Sequence, residues 1–232
     1  MPHNHPVIAI DGPAASGKST VGKLVARELD FLFFDTGALY RAVTLAALNR
    51  GIPMDDEAKI CELARQIHID LIPSSQQDGR PYTVLVDGKD VTWDIRQERV
   101  DAHVSTVSAY PGVREALKHQ QRRIARQGRV VMAGRDIGTV VFPEAPLKVY
   151  LDASPEVRAR RRCEELRARG EHADYEEILA GVRHRDAIDS SRATAPLRIA
   201  QDAVVINTDH LTIDEVVQEI IRLAKERQLV NA

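Results

Sequence analysis

Short runs of consecutive apolar residues alternate along this chain with longer stretches in which apolar residues recur every three or four positions. The runs predict buried β-strands, and the longer stretches predict amphipathic helices between them. This alternation is typical of a parallel sheet that helices cover on both faces, so we predict an α/β fold. Five runs are predicted to form the parallel sheet, at residues 7–11, 31–35, 129–134, 147–152 and 203–208.

The period changes between residues 67 and 93, where apolar and polar residues alternate as they do in half-buried strands. The turn pairs Asp78-Gly79 and Asp87-Gly88 separate the apolar segments, and helical patterns flank the region at 55–66 and 94–110. We therefore predict an inserted three-stranded antiparallel meander outside the main sheet. Its strands are predicted at 68–73, 82–86 and 89–93.

Composition narrows the classes of function. The 232 residues are 44% apolar, and 32 Lys and Arg against 34 Asp and Glu give a net charge of -2. This balance leaves no global field for a nucleic acid or an anionic membrane, so we expect neither as a partner. The two cysteines lack metal-ligand spacing, and no run reaches the ~18 apolar residues of a membrane span. We expect a cytoplasmic monomer with reduced thiols.

A glycine-rich segment after the first predicted strand has the pattern of a phosphate-binding loop. Glycines let the backbone fold around phosphate oxygens, Lys18 reaches the β and γ oxygens, and the Ser19 hydroxyl is a ligand for Mg²⁺. The following helix adds free N–H groups and the positive end of its dipole. The pattern predicts binding of ATP with Mg²⁺. The residues predicted to bind it are Gly12, Pro13, Ala14, Ala15, Ser16, Gly17, Lys18, Ser19 and Thr20.

Arginines crowd a later predicted helix, which Ser154 caps and Pro155 begins. For most of them the alternative is a solvated face paired with neighbouring glutamates. Near a triphosphate, however, such a helix can close as a lid and bring positive charge onto the transferring phosphoryl group. On this interpretation the arginines that reach ATP are Arg158, Arg161 and Arg162.

Two predicted strand ends carry residues suited to a second phosphorylated ligand. Arg41 stands one turn into the helix that follows Asp35-Thr36-Gly37, although it also fits a surface cation. Arg135 and Asp136 follow the strand at 129–134, where they fit a phosphate and a polar base edge, or a structural pair.

A third feature lies on the helix that Asp174 and Glu177 are predicted to cap. Its buried stripe changes from apolar to charged at Arg185, Asp189 and Arg192. Two arginines and a carboxylate aimed into a cleft suit a phosphorylated sugar. The alternative for the first two is an intrahelical ion pair, worth only about 0.3 to 0.5 kcal/mol.

With these features, the chain resembles the bacterial cytidylate kinases, which phosphorylate CMP and dCMP with ATP, from about residue 6 to residue 227. The resemblance implies a P-loop kinase with a five-stranded parallel sheet, an inserted monophosphate-binding region and a short helical lid. The motifs that carry it are IDGP at 10–13, DTGALYR at 35–41, VREAL at 113–117, GRDIGTVVFP at 134–143 and RATAPL at 192–197. The implied segments are core at 1–36, monophosphate-binding insertion at 37–111, core at 112–157, lid at 158–173 and core at 174–232.

The resemblance also assigns the acceptor site. It implies that the cytosine meets Thr36, Arg114 and Asp136, the ribose Ser105, Arg185 and Asp189, and the monophosphate with the transferred group Arg41, Arg135 and Arg192. The carboxylate of Asp136 can accept a hydrogen bond from the exocyclic amine of cytosine, which uracil replaces with an acceptor. The catalytic residues implied are Lys18, Arg135, Asp136 and Arg192.

Two positions depart from the family pattern. Thr36 stands where relatives often carry serine, which keeps the hydroxyl. Ala133 stands where many relatives carry an acidic residue before Gly-Arg-Asp. Any role of that acid near Mg²⁺ therefore passes to Asp35, in the outer shell of the metal, to Asp136 or to water.

Two alternatives remain open. A P-loop kinase for UMP would use the same groups, whereas one for an alcohol such as shikimate needs a deprotonating group, which Asp35 could supply. A nucleotide-dependent switch is the alternative from another class. The segment Asn207-Thr208-Asp209-His210 lacks the lysine of the guanine-reading Asn-Lys-x-Asp signature.

Overall fold

The computed structural model describes residues 6–76, 78–168, 170–192 and 194–230. Internal contacts divide the chain into two compact units. Unit 1 comprises the residues up to Phe31 and those from Arg129 onward, and unit 2 comprises Leu32–Gly128. The strands are β1 (Val7–Asp11), β2 (Leu32–Asp35), β3 (Ile69–Pro73), β4 (Tyr82–Val86), β5 (Lys89–Asp90), β6 (Val130–Ala133), β7 (Leu147–Asp152) and β8 (Val204–Asn207). The helices are α1 (Lys18–Leu29), α2 (Gly37–Asn49), α3 (Glu57–Gln66), α4 (Glu98–Ala109), α5 (Pro111–Ala125), α6 (Pro155–Ala168), α7 (Tyr175–Ser191) and α8 (Ile213–Glu226).

The main sheet has five strands in the order β2-β6-β1-β7-β8, as the apolar runs predicted. The pairings of β1 with β6 and β7, and of β7 with β8, are parallel. All five residues of β1 are buried, because a parallel strand at the centre of a sheet has helices on both faces. The five predicted strands are therefore confirmed.

The helices of unit 1 pack in pairs, α1 against α8 and α6 against α7. The predicted cap of α6 is confirmed, since the Val157 amide donates to the Ser154 hydroxyl at 3.4 Å. The Asp174 carboxylate likewise accepts from the Glu177 amide at 2.9 Å and begins α7. Arg169, one of the arginines of the proposed lid, lies outside the described residues, and the predicted core, insertion and lid boundaries remain a prediction. Within the described residues, no helix combines the length and apolar character that crossing a membrane requires.

Unit 2 holds α2 to α5 and the small antiparallel sheet, in which β3 and β4 pair from Ile69 opposite Val86 to Pro73 opposite Tyr82. The meander is confirmed, but its third strand is shorter than predicted and ends at Asp90. The reason is a side chain that replaces the backbone acceptor: the Val84 amide donates to the Thr92 hydroxyl at 2.9 Å. The hydroxyl in turn donates to the Asp90 carboxylate at 2.6 Å.

The helical pattern predicted at 94–110 forms two elements rather than one. A short 3₁₀ turn at Asp94–Arg96 precedes α4, and Gln97 between them is extended with ψ 147°. The Gln97 carbonyl accepts from the amides of Val100 and Asp101, so this residue starts a new helix. The periodicity continues across the break, which is why the sequence pattern did not reveal it.

A buried amide on α5 gives a stability prediction. Gln121 is 1% exposed, and neither polar atom of its side chain has a hydrogen-bond partner among the described residues. Because a buried unsatisfied polar group costs about 1 to 3 kcal/mol, we expect Gln121→Met to raise the free energy of unfolding by about 1 to 2 kcal/mol. Urea denaturation measures the change.

Its neighbour provides the matched control. The Gln120 side chain accepts from the Ile69 amide at 3.1 Å and donates to the Ile67 carbonyl at 3.4 Å. Gln120→Met should therefore lower the free energy of unfolding. Equal destabilisation by both substitutions would contradict the unsatisfied state of Gln121.

Candidate functional site

The predicted phosphate-binding loop joins β1 to α1 and uses backbone conformations that few residues adopt. Gly12 has φ 150°, and a Cβ there would stand 2.2 Å from the Leu151 carbonyl oxygen. Gly17 caps α1 at φ 90°, and Ala15 between them lies in the left-handed region at φ 61°. The loop thus follows the tight path that its glycines predicted.

The loop borders a cavity of about 610 Å³ that residues 15–20 line. In it, Lys18 Nζ donates to the Pro13 carbonyl at 2.5 Å and approaches the Ser16 hydroxyl at 3.3 Å. The lysine therefore lies folded over its own loop, with Ser19 and Thr20 also lining the cavity. A cationic group, a hydroxyl pair and a helix N-terminus together can hold a triphosphate.

The same cavity is also lined by residues that the motif did not reveal. They lie after β8 and at the start of α8: Thr208, Leu211, Thr212, Ile213 and Val216. Leu211 and Ile213 are 38% and 51% exposed, which is unusual for large apolar side chains. The signal available in the sequence was the Thr-x-x-Glu pattern at Thr212 and Glu215, with apolar residues beside it.

The three arginines predicted to reach ATP differ in their surroundings. Arg161 and Arg162 line the cavity. Arg161 donates to the hydroxyl and the carbonyl of Thr208 at 3.0 and 2.6 Å, and Arg162 donates to Glu165 at 2.8 Å. Arg158 is buried and lines a second cavity, of about 330 Å³. A direct contact of any of them with ATP stays a prediction.

Further along unit 1, Arg135, Asp189 and Arg192 form one charged cluster, in which the Arg135 side chain is 24% exposed and the other two are 8% exposed. Asp189 Oδ2 is 2.5 Å from Arg135 Nε, and Asp189 Oδ1 is 3.4 Å from Arg192 Nη1. Arg192 also donates to the Ala195 carbonyl at 3.0 Å. The structure thus brings together three of the residues predicted to hold the acceptor. Their ion pairs with Asp189 orient both guanidinium groups.

The two remaining predicted residues of unit 1 lie nearby in sequence. Asp136 is buried and directly precedes a π-helical turn at Ile137–Val141. Arg185 is half-buried on α7, one turn before Asp189.

Unit 2 carries the other predicted acceptor residues. Thr36 is buried at the start of α2, where the Asp35 carboxylate accepts from the Gly37 amide at 3.0 Å. Arg114 is buried on α5, with its guanidinium 5.4 Å from the centre of the Tyr40 ring, and donates to the Ser108 carbonyl at 3.1 Å.

Arg41 and Ser105 of the same unit are closer to solvent. Arg41 donates to the Ile95 carbonyl at 3.1 Å and to the Asp101 carboxylate at 2.5 Å. Ser105 is exposed on α4. Asp101 therefore competes with any anion for the Arg41 guanidinium.

The polar groups of the phosphate-loop cavity suit a metal ion that binds together with the nucleotide and is held mainly by its phosphates. Among the described residues, no group of three or more His, Cys, Asp or Glu side chains could hold a metal ion. Mg²⁺ in phosphate-transfer sites usually keeps several waters and is held by one or two protein groups plus substrate phosphates. The Ser19 hydroxyl in the cavity suits this mode.

Asp11, at the end of β1, is a buried acid for which no role was predicted. Its Oδ1 accepts from the Ile137 amide at 2.8 Å and its Oδ2 from the Gly138 amide at 2.7 Å. Burial raises the pKa of Asp11 to about 6, although the two hydrogen bonds oppose the shift. This carboxyl links the strand before the phosphate loop to the turn after Asp136.

The raised pKa predicts a dependence of stability on pH. As pH rises from about 4 to about 6, the unfolded chain releases this proton before the folded protein does, so the free energy of unfolding falls. Asp11→Asn removes the titration. We expect the stability of the wild type relative to this variant to fall by about 2 kcal/mol between about pH 4.5 and about pH 7.5.

Urea denaturation of both proteins across this range measures the difference. Asp202→Asn is the control, because the Lys148 ammonium lowers the pKa of Asp202, so the difference between this variant and the wild type should stay nearly constant across this range. The stability that Asp202 contributes is present above its unfolded pKa and is lost as pH falls. A flat difference for Asp11→Asn would show that its carboxyl titrates normally.

Comparison with known proteins places these features in one family. The family model described as cytidylate kinase matches residues 8–226. A cytidylate kinase of Limosilactobacillus reuteri is 50% identical over 222 residues, which cover 95% of this chain and 96% of the relative. One of Herpetosiphon aurantiacus is 49% identical over 216 residues, 93% of each chain. A solved structure of an uncharacterized protein from Eubacterium ventriosum is 12% identical with a TM-score of 0.53, covering 94% of this chain and 98% of its own, and shares the fold alone.

Proposed function

Because the chain belongs to the cytidylate kinase family, we propose that it transfers the γ-phosphoryl group of MgATP to CMP or dCMP, giving CDP or dCDP and ADP. The proposal rests on the phosphate-loop cavity with Lys18 and Ser19, which lies in the same compact unit as the charged cluster of Arg135, Asp189 and Arg192. One feature suits a triphosphate donor, and the other suits a phosphorylated acceptor.

The donor is assigned to the 610 Å³ cavity. Residues 12–20 hold the phosphates, Lys18 reaches the β and γ oxygens, and Ser19 is the protein ligand of Mg²⁺, with Asp35 in its outer shell. When bound, Mg²⁺ neutralises charge on the β- and γ-phosphates. We assign the base of ATP to the apolar side chains of Leu211 and Ile213, and the phosphates also to Arg161 and Arg162, which line the same cavity.

The acceptor is assigned to polar groups that are mostly buried. Thr36, Arg114 and Asp136 read the cytosine, each being at most 6% exposed. Buried polar groups discriminate strongly, because a base that cannot complete their hydrogen bonds leaves them unpaired. The ribose is assigned to Ser105, Arg185 and Asp189, and the monophosphate to Arg41, Arg135 and Arg192.

The chemistry needs charge stabilisation more than proton transfer. An oxygen of the CMP phosphate forms a bond to the γ-phosphorus, while the bond from that phosphorus to the bridging oxygen breaks and leaves its electron pair on ADP. A phosphate monoester has its second pKa near about 6, so most of the acceptor is already dianionic at neutral pH. Lys18, Arg135 and Arg192 hold the two polyanions and the charge on the moving group.

The proposal is tested by ADP formation with a panel of acceptors: CMP, dCMP, UMP, AMP and shikimate. We expect turnover with CMP and dCMP far above the rest. Equal rates with CMP and UMP would reject the base-reading role of Asp136, and turnover with shikimate would favour an alcohol kinase that uses Asp35 as base. Slow ATP hydrolysis without dependence on a monophosphate would favour a nucleotide switch.

We further propose that the enzyme works as a monomer in the cytoplasm, where ATP and CMP are available. Cys61 and Cys163 are both buried free thiols, which suits a reducing compartment. Sedimentation equilibrium with and without nucleotides tests the monomeric state.

A further inference from the structure

Arg158, in the first turn of α6, makes an unusual set of contacts. Its side chain is 3% exposed. Its Nε donates to the Ala153 carbonyl at 2.9 Å, and Nη1 donates to the Ala14 carbonyl at 3.1 Å. Both terminal nitrogens also bind the Asp186 carboxylate, at 2.9 and 2.5 Å. Most of the five donors of this guanidinium are therefore already used by the protein.

Of these contacts, the hydrogen bond from Arg158 to the Ala14 carbonyl bears on nucleotide binding. The next residue, Ala15, has φ 61°, a left-handed conformation that costs a residue with a Cβ about 1 kcal/mol or more. In a trans peptide the carbonyl and the following N–H point in opposite directions. A bond that holds the Ala14 carbonyl on one side of the loop therefore directs the Ala15 N–H to the other side.

The two sides of the loop face different cavities. Ala15 lines the 610 Å³ cavity assigned to the triphosphate. Arg158 lines the separate 330 Å³ cavity, together with Pro13 and Asp186. The guanidinium and Ala15 therefore line different cavities, which is the arrangement that an Ala15 N–H directed toward the phosphates requires.

Asp186 keeps this arrangement in place. Its two carboxylate oxygens grip the guanidinium in the bidentate geometry that fixes an arginine most firmly. The pair is nearly neutral as a unit, so it offers little charge to a phosphate. Asp186 lies on α7, one turn before Asp189, and so ties the phosphate loop to the helix that carries the acceptor cluster.

We propose that Arg158, held by Asp186, is a positioning residue that fixes the Ala14–Ala15 peptide so that the Ala15 N–H binds the triphosphate, without itself touching ATP. This inference rests on the proposed function only in taking the 610 Å³ cavity as the triphosphate site. It replaces the direct ATP contact that the sequence suggested for Arg158.

The test compares Arg158→Met, Asp186→Asn and the double variant by calorimetric titration with Mg²⁺ and AMP-PNP, a non-hydrolysable ATP analogue. We expect Arg158→Met to raise the Kd by about 10-fold or more, the size of one lost hydrogen bond to a charged group. Asp186→Asn should raise it in the same direction, and the double variant should be no weaker than Arg158→Met alone. The KM for CMP should change less than the KM for ATP in each.

Arg183→Met is the matched control. Arg183 on α7 donates to Glu156 on α6 at 2.7 Å, so it bridges the same two helices at an exposed position without touching the loop. This variant should bind AMP-PNP as the wild type does. If it weakens binding as much as Arg158→Met, the effect comes from helix docking and the proposal is overturned.

Two other outcomes would also overturn it. A loss confined to kcat in Arg158→Met, with Asp186→Asn binding AMP-PNP normally, would mean that Arg158 touches the transferring phosphate. A lower free energy of unfolding in both variants with unchanged Kd would mean that the pair is only structural. If Arg158→Met does not fold, the single variants Arg158→Lys and Asp186→Asn replace it. The same increase in the Kd for AMP-PNP is then expected of both. Failure of the wild type itself to bind AMP-PNP would instead reject the proposed function.

Discussion

Lys18→Met is expected to lower kcat for CMP phosphorylation by two to three orders of magnitude, about the loss seen when one preorganised electrostatic donor is removed. The Lys18 ammonium lies in the phosphate cavity, where it now satisfies the Pro13 carbonyl and the Ser16 hydroxyl. These are neutral groups, so a triphosphate is a stronger partner for the charge. Methionine keeps the length of the side chain but has no charge to follow the phosphoryl group as it moves.

Steady-state ADP formation at saturating ATP and CMP measures this effect. Lys23→Met is the matched control, because Lys23 is exposed on the same helix α1 and outside the cavity. Its kcat should stay within a factor of about two of the wild type. If Lys18→Met retains more than a tenth of the wild-type kcat, Lys18 has no catalytic role in phosphoryl transfer.

The second large effect concerns the choice of base. Asp136→Asn is expected to reduce the preference for CMP over UMP by about 100-fold or more in kcat/KM, since sites built to pair a substrate's polar group discriminate most strongly. The carboxylate only accepts hydrogen bonds and so suits the exocyclic amine of cytosine, whereas an amide can turn its NH₂ toward the corresponding oxygen of uracil. Asp136 is buried, so neither base can use water instead.

The ratio of kcat/KM values for CMP and UMP, measured with the same preparation, gives the result. Arg192→Ala is the companion variant: its guanidinium belongs to the phosphate-binding cluster, so turnover should fall with both acceptors while their ratio stays constant. If the ratio is unchanged in Asp136→Asn, Thr36 and Arg114 rather than Asp136 recognise the base. If the ratio changes in Arg192→Ala, base recognition and phosphate binding are not carried out by separate residues.

Local pattern was enough to predict the architecture. The strands of the main sheet are short runs rich in apolar residues, and β1 at its centre is buried along its whole length. The phosphate loop is one contiguous segment, so its glycines, lysine and serine stand together in the sequence. Two element boundaries were predicted wrongly, the end of the third strand of the meander near Thr92 and the break before α4 at Gln97. At both places the backbone conformation changes, but the pattern of apolar and polar residues does not.

The sequence by itself determined which residue types are available, namely a phosphate loop, arginines near strand ends and a carboxylate for the base, because these are properties of short segments. Only the tertiary structure decided which of them meet. Arg158 contacts a carbonyl 144 positions away and a carboxylate 28 positions away, and Asp11 accepts from amides 126 and 127 positions away. In the sequence, a charged residue in a helical pattern gives the same signal whether its side chain faces solvent, a ligand or a buried partner. Burial distinguishes these cases, and burial depends on how the whole chain packs.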